Sequence, residues 1–414
     1  MTNGGGAVSI FNQTPEDYAI LFLDMDAFFA KCEQECHADL RGKPVGITPQ
    51  LVGSGCIIAS SYEAKKFGVK VGVTVSEAQR ICPQIIIVEA NPKLYTVFHK
   101  KILAVLQDIS PWVSVKSIDE FSLKIPPTER DYFKVMSVGQ LIKTRIKQEV
   151  GEYTTTTVGI GPNYFLAKMA AETHKPDGLY ATNLERIDID FGKLSLTDLC
   201  GIAKGLSRKL KSEGIFDTAQ FLAADIKVLR HILGFAGELW WHRLRGYEVD
   251  DVQFNRSNIG HSHVLPPEWR SPAKAEHVLH RLVHKVGQRL RNEGFWAKNS
   301  YLVINYLDSG VYFDHRKTIP YCDSQTMVNL ASEMYQLRDW PGKQILRLSF
   351  SVSELVEGKA YPEPLFPEMQ RSLHLTRALD RINDKFGRDT IFSAVMLGAQ
   401  ETAPDRIAFG KPIS

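Results

Sequence analysis

The chain has 414 residues, 44% hydrophobic and 23% charged, with 50 Lys plus Arg against 47 Asp plus Glu. The length gives a prior of about two to four domains, and the composition is that of an ordinary soluble globular protein. No apolar run reaches the roughly 18 residues a membrane span needs, and the opening MTNGGGAVSIFNQTPEDY lacks the basic stretch and apolar core of a secretory signal, so neither a membrane partner nor export is expected.

In chain order, YAILFLD (18–24) predicts a strand and residues 28–36 a helix. GCIIASSYEAKKFG (55–68) predicts a strand and then a helix from Tyr62, closed by Gly68 as a C-terminal glycine closes helices. TVSEAQRIC is a short helix with Thr74 or Ser76 as its cap. Residues 85–89 form an apolar strand, and NPKLYTVFHKKILAVLQDIS is a long amphipathic helix. VSVKSIDEFSLKI (113–125) alternates about a hairpin-like centre that holds Asp119 and Glu120. A helix over 131–150, the β-branched strand TTTTVGIG and the helix NYFLAKMAAE complete a mixed α and β layer that ends near residue 185. Residues 186–250 read as helical throughout. Strand signals return near 257–264, followed by a helix over 272–292, strands over 300–307 and 311–318, a helix over 324–337 and a strand over 344–352. After 355 come a polar linker with prolines and a tail with a short helix near LHLTRALDRINDKFG. The six cysteines form no CxxC pair and read as reduced thiols in a cytoplasmic protein.

LFLDMDAFFA (21–30) sets Asp24 and Asp26 inside an apolar run. A buried carboxylate without a partner costs several kcal/mol or titrates upward, so these acids call for a metal ion, a basic partner, or water at the strand's end. Asp119 and Glu120 on the hairpin raise the same question. Carboxylate oxygens together with substrate phosphates suit Mg²⁺, although D-x-D and D-E also occur at solvated strand ends.

The segments LFLDMDAFFA, LRGKPVGI, IASSYEAKKFGVKVG, SIDEFSL and VGIGPNYFLAKMAAETHKPDG occur in this order. This set resembles the Y-family (translesion) DNA polymerases, most closely their polymerase IV-like (DinB-type) branch, over about residues 18–355. The resemblance implies an α+β right-hand polymerase. Its expected parts are a flexible lead-in (1–17), palm and fingers (18–185, fingers about 35–90), a helical thumb (186–250), an α+β little finger (256–355) and a C-terminal linker and tail (356–414). The implied activity is low-fidelity, template-directed DNA synthesis past damage by two-metal phosphoryl transfer.

By the same resemblance Asp24, Asp119 and Glu120 hold two Mg²⁺ ions, with the Met25 carbonyl completing one shell. Asp26 is expected to orient its loop. Phe29 matches the steric gate that leaves no room for a 2′-hydroxyl, and Phe28 lies in the core or under the nucleotide. Tyr62, Lys65 and Lys175 match the triphosphate contacts. An arginine is common in the family where this chain has Lys65, so the bidentate fork is lost there. Ile58, Ala59 and Ser60 line the pocket roof.

LTDLCGIAKGLSRKLKSEGI (196–215) resembles a helix-hairpin-helix, with Gly201, Gly205 and Lys204 set to meet a DNA phosphate. Arg316, Lys317 and Arg347 on little-finger strands are expected as phosphate contacts, ahead of the stripe His277, Arg281, Lys285 and Arg289 on the helix over 272–292. Leu365 and Phe366 in YPEPLFPE loosely resemble the anchors by which bacterial polymerases dock on a sliding clamp. The expected partners are therefore primer-template DNA, deoxynucleoside triphosphates and a sliding clamp, with the chain a monomer. A palm-type nucleotide cyclase and a non-catalytic DNA-binding scaffold are the alternatives.

Overall fold

The computed structural model describes residues 14–49, 51, 53, 55–250, 257–358, 366–400, 402 and 403. Leu365, most of the lead-in, most of the linker and the end of the tail lie outside the described residues. The chain divides into two units, Met1–Val252 with Arg406–Ser414, and Gln253–Asp405.

The first unit begins with strand β1 (Ile20–Met25), helix α1 (Phe28–Cys36), strands β2 (Val45–Thr48) and β3 (Ala59–Ser60), helices α2 (Tyr62–Lys66) and α3 (Val75–Ile81), and strand β4 (Ile86–Glu89). Helix α4 (Pro92–Ile109) leads to the hairpin β5 (Val113–Val115) and β6 (Glu120–Lys124), then α5 (Tyr132–Glu149), β7 (Thr156–Gly161), α6 (Tyr164–Glu172) and β8 (Leu179–Ala181). The main sheet has the order β5-β6-β1-β7-β8, with β1 antiparallel to both of its neighbours. Strands β3-β2-β4 form a smaller sheet. The strand expected over residues 55–60 is shorter than its apolar pattern suggested, because Cys56 makes only an isolated bridge to Thr74. Ser61 and Thr74 cap α2 and α3 through their side chains.

Alternation along β1 decides what the acids face. Leu21, Leu23 and Met25 point into one core with Phe98, Ile102, Ile142 and Ile146 of α4 and α5. Ile20 and Phe22 point to the other face, against Ala167 and Ala171 of α6. Asp24 continues that second row. Glycines of β7 let α6 come close: a Cβ on Gly159 would sit 2.1 Å from the Ala167 carbonyl oxygen, and one on Gly161 would sit 2.8 Å from the Ala167 nitrogen. The glycines of VGIG and the alanines of LAKMAA thus bring the end of α6 down onto the acidic edge of the sheet.

Five short helices follow: α7 (Ile187–Phe191), α8 (Lys204–Ser212), α9 (Thr218–Ala223), α10 (Ile226–Leu233) and α11 (Phe235–Arg243). They bury Leu210, Phe221, Leu229 and Trp240 with Phe165 and Leu166 of α6. The stretch is helical, as its pattern predicts.

The second unit contains β9 (Asn258–Val264), α12 (Pro272–Asn292), β10 (Phe295–Tyr306), β11 (Val311–Tyr321), α13 (Ser324–Gln336), β12 (Ile345–Ser353), β13 (Val356–Glu357) and α14 (Pro367–Phe386). Its sheet runs β11-β10-β12-β9, antiparallel throughout. Buried residues of α12 and α13 cover one face.

The tail differs most from expectation. Helix α14 has 20 residues, and Leu373 is buried in the core of this unit. Arg291 of α12 grips Asp380 with both ends of its fork, at 2.5 and 2.8 Å, and Arg281 pairs with Asp389. Further on, Met396, Ala399 and Ala403 are buried.

Candidate active site

Strand pairing brings the acids to one edge. Asp24 of β1 lies directly opposite Glu120 of β6, and Asp119 precedes Glu120 by one residue. The Met25 amide donates to the Asp119 carbonyl oxygen at 3.0 Å, closing the strands together at this point. Asp24 is only 6% exposed, and burial pushes its carboxyl up to about 7 although the Lys175 ammonium opposes the shift. Burial also raises Asp119, against a 2.5 Å hydrogen bond from the Ser117 hydroxyl.

Lysines answer two of these carboxylates. Lys175 lies 2.8 Å from Asp24 and 2.7 Å from Glu172. Burial works against its charge, but the two acids overcome that cost and hold its pKa up. Lys168 lies 2.7 Å from Glu120. Among the described residues no three His, Cys, Asp or Glu side chains gather closely enough to hold a metal ion. The donor set still fits one: the oxygen donors are hard, and ammonium groups already supply positive charge beside Asp24 and Glu120.

Asp26 is fully buried and its oxygens are occupied by protein donors. Oδ1 accepts from the Thr157 hydroxyl at 2.8 Å and the Tyr62 hydroxyl at 3.4 Å, and Oδ2 accepts from the Asp177 amide at 2.8 Å. It therefore ties β1, α2 and the loop after α6 together, as a loop-orienting role requires. Ala27, in the left-handed region at φ 47°, turns the chain sharply into α1. Lys65 rests 4.2 Å over the Tyr62 ring, and burial, with Lys175 nearby, lowers its pKa. Burial likewise raises the Tyr62 hydroxyl. The three expected triphosphate contacts thus stand close to one another and to the acids.

Phe28 and Phe29 are 3% and 4% exposed, so both rings are largely core. Phe29 stacks on Tyr95 of α4 with centroids 4.5 Å apart. Sequence reasoning did not single out Tyr95 or Lys168. Lys168 sits mid-helix in LAKMAA, and its only local signal is a cation on an otherwise apolar helix.

Residues 23–172 match the impB/mucB/samB family and residues 256–364 match the C-terminal domain of that family. The DNA polymerase IV of Moorella thermoacetica is 32% identical over 92% of this chain and 96% of its own length. The chain belongs to the Y-family of DNA polymerases, in its DinB-type branch. The DNA polymerase IV of Pelotomaculum thermopropionicum is 30% identical over 91% of this chain and 95% of its own. A solved Y-family DNA polymerase chimera of Dbh and Dpo4 shares the fold at TM-score 0.69 and 23% identity, covering 82% of this chain and 99% of its own. Y-family membership implies a divalent metal, with DNA and nucleotides as substrates.

The residues this Y-family polymerase was expected to present to DNA divide into two groups. Gly201 sits at φ +97° with Trp240 behind it, after a single 3₁₀ turn (Leu196–Asp198). Lys204 and Gly205 open α8 and are exposed, and a Cβ on Gly205 would meet nothing within 4 Å. In the second unit, alternation puts Lys317 and Arg347 on the sheet face away from α12 and α13, with Tyr301, Phe313 and His315. Lys317 pairs with Glu354 at 2.8 Å, and Arg347 donates to the Ser262 hydroxyl at 3.1 Å. Arg316 corrects the expectation. One residue out of register with Lys317, it turns to the α13 side, where it pairs with Asp314 at 2.5 Å and Glu333 at 3.4 Å. The helix stripe is engaged too: Arg281 holds Asp389, and Lys285 donates to the Ala403 carbonyl at 2.5 Å. Phe366 is exposed immediately before α14, and its expected companion Leu365 lies outside the described residues. Among the described residues no helix is long and apolar enough to cross a membrane.

Proposed function

We propose that this translesion DNA polymerase extends a primer 3′ end by two-metal phosphoryl transfer, with Asp24, Asp119 and Glu120 holding two Mg²⁺ ions and the Met25 carbonyl adding a main-chain ligand. The observation that carries this reading is the direct pairing of Asp24 with Glu120, with Asp119 beside them, on a buried sheet edge that already attracts two ammonium groups. Bound there, divalent cations would neutralise phosphate charge and activate the primer hydroxyl. The 3′-oxygen attacks the α-phosphorus, the bond to the β-phosphate oxygen breaks, and pyrophosphate leaves.

Each side chain has a task in this reading. Lys175 exchanges Asp24 for a phosphate oxygen, and Lys168 releases Glu120. Tyr62 and Lys65 present a hydroxyl and an ammonium from one face of α2. Phe29 excludes the 2′-hydroxyl. A roof of Ile58, Ala59 and Ser60 leaves room for distorted templates, which favours bypass over fidelity. Residues 18–185 act as palm and fingers, with fingers about 35–90. Residues 186–250 act as thumb and 256–355 as little finger.

DNA is held without regard to sequence. Gly201, Gly205 and Lys204 meet one backbone phosphate, and Lys317 and Arg347 meet others. Leu365 and Phe366 dock on a sliding clamp, and the polymerase itself works as a monomer in the cytoplasm.

Primer extension on undamaged and lesion-bearing templates with Mg²⁺, wild type beside Asp119→Ala, tests the reading. The wild type extends both templates and the variant extends neither while still binding DNA. Undiminished extension by the variant would overturn the metal assignment. Binding without extension by the wild type would favour a scaffold.

A further inference from the structure

We propose that Glu33 and Tyr95 are positioning residues for sugar selection: together they fix the ring of Phe29 where it excludes a 2′-hydroxyl, and so set how firmly a ribonucleotide is refused. The inference rests on the reading of Phe29 as the steric gate.

Phe29 and Glu33 are four residues apart on α1 and so share one face of that helix. Tyr95 of α4 is fully buried and meets both. Its ring lies nearly parallel to that of Phe29, 4.5 Å away at an interplanar angle of 20°. Its hydroxyl donates to Glu33 Oε1 at 2.9 Å. Phe28 stands beside the pair, 6.4 Å from Tyr95 and 5.7 Å from Phe29. A single tyrosine is therefore held at its ring by Phe29 and at its hydroxyl by an acid one turn further along the same helix.

Glu33 is 3% exposed, and burial raises its carboxyl. A buried acid that merely filled space would be replaced by an apolar side chain at little loss. Here it accepts the Tyr95 hydrogen bond, with the exposed His37 imidazole 3.6 Å away. The consequence for selection is geometric. A steric gate discriminates over fractions of an ångström, and displacements of about 1 Å in an active site can change rates by about 10²-fold. Loss of the hydroxyl anchor lets Tyr95 rock, and the stacked Phe29 ring follows.

The test compares kcat/KM for ribonucleotide and deoxynucleotide addition to the same primer-template by the full-length polymerase. Phe29→Ala raises the ribonucleotide-to-deoxynucleotide ratio most. Tyr95→Phe and Glu33→Ala each raise it by roughly tenfold, the scale of one buried hydrogen bond, and the double variant goes no further because both changes remove the same contact. Glu33→Gln, which keeps an acceptor oxygen, stays near the wild-type ratio. A merely structural role would lower both rates and leave the ratio unchanged. If Phe29→Ala changes the ratio but Tyr95→Phe and Glu33→Ala do not, positioning is overturned and the gate stands. If Phe29→Ala leaves the ratio unchanged, the gate reading fails and the inference with it. Should Glu33→Ala not fold, Tyr95→Phe and Glu33→Gln carry the decision.

Discussion

Lys175 places its ammonium 2.8 Å from Asp24, so the most buried of the three expected metal ligands is neutralised by the chain itself. Removing the lysine leaves a buried carboxylate unpaired, a loss of about 3–5 kcal/mol. Lys175→Ala is therefore expected to unfold at lower denaturant than wild type at pH 8, and Mg²⁺ is expected to restore much of the difference. The loss shrinks at lower pH. Asp24 has its pKa raised from 3.8 to about 7, so its contribution to stability is full below 3.8 and is lost as pH rises through 7. Urea titrations at pH 6 and pH 8, with and without Mg²⁺, check both statements. Equal destabilisation at both pH values would sink the account.

Lys65 rests over Tyr62, at the position where the family resemblance leads one to expect arginine. An arginine would restore a bidentate grip on phosphate. Lys65→Arg is expected to raise kcat/KM for deoxynucleotides by about three- to tenfold, mostly through KM. A fall instead would mean that the space around Tyr62 is shaped for the smaller ammonium.

Histidines of the second unit make it acid-sensitive. Burial pushes His261 and His284 down to about 4 from 6.5, with cationic neighbours adding to the effect. The unfolded chain therefore binds more protons between about 6.5 and 4. Stability is full above 6.5 and is lost as pH falls through 4, by on the order of 1 kcal/mol per group per pH unit. Among the described residues, Nε2 of His284 meets no hydrogen-bond partner. His284→Leu should flatten the slope of unfolding midpoint against pH over this range, and an unchanged slope would count against the assignment.

Leu373 is 2% exposed and anchors α14 to the core of the second unit. Leu373→Ala is expected to cost about 2–5 kcal/mol. Circular dichroism melts would show it. A free tail would lose nothing.

The candidate centre was legible through the ordered set of motifs rather than through any one of them. Residue patterns alone left Asp24, Asp119 and Glu120 open between a metal site and solvated strand ends, and β1 and β6, which bring them together, lie far apart in the chain. Asp24 ends a predicted strand, and Asp119 and Glu120 sit at the centre of a predicted hairpin, whereas the close approach of α6 to Gly159 and Gly161 of β7 was not read from the sequence. What else was not legible depends on partners far along the chain. Strand β10 begins at Phe295 because β13, some sixty residues later, pairs with Phe295 and Trp296. Helix α14 looks polar in isolation, and only Arg291 and the core around Leu373 explain its length. Arg316 and Lys317 are adjacent cations, and only strand register separates the one that faces α13 from the one on the open face.

Phe366 stands at the threshold of α14, and α14 is fastened to α12 and α13 by Leu373, Thr376 and Asp380. If a clamp grips Phe366, it holds a bracket rather than a leash. The little finger would be carried round with almost no slack, and its effective concentration at clamped DNA would be governed by the few residues ahead of the helix rather than by the length of the tail behind it.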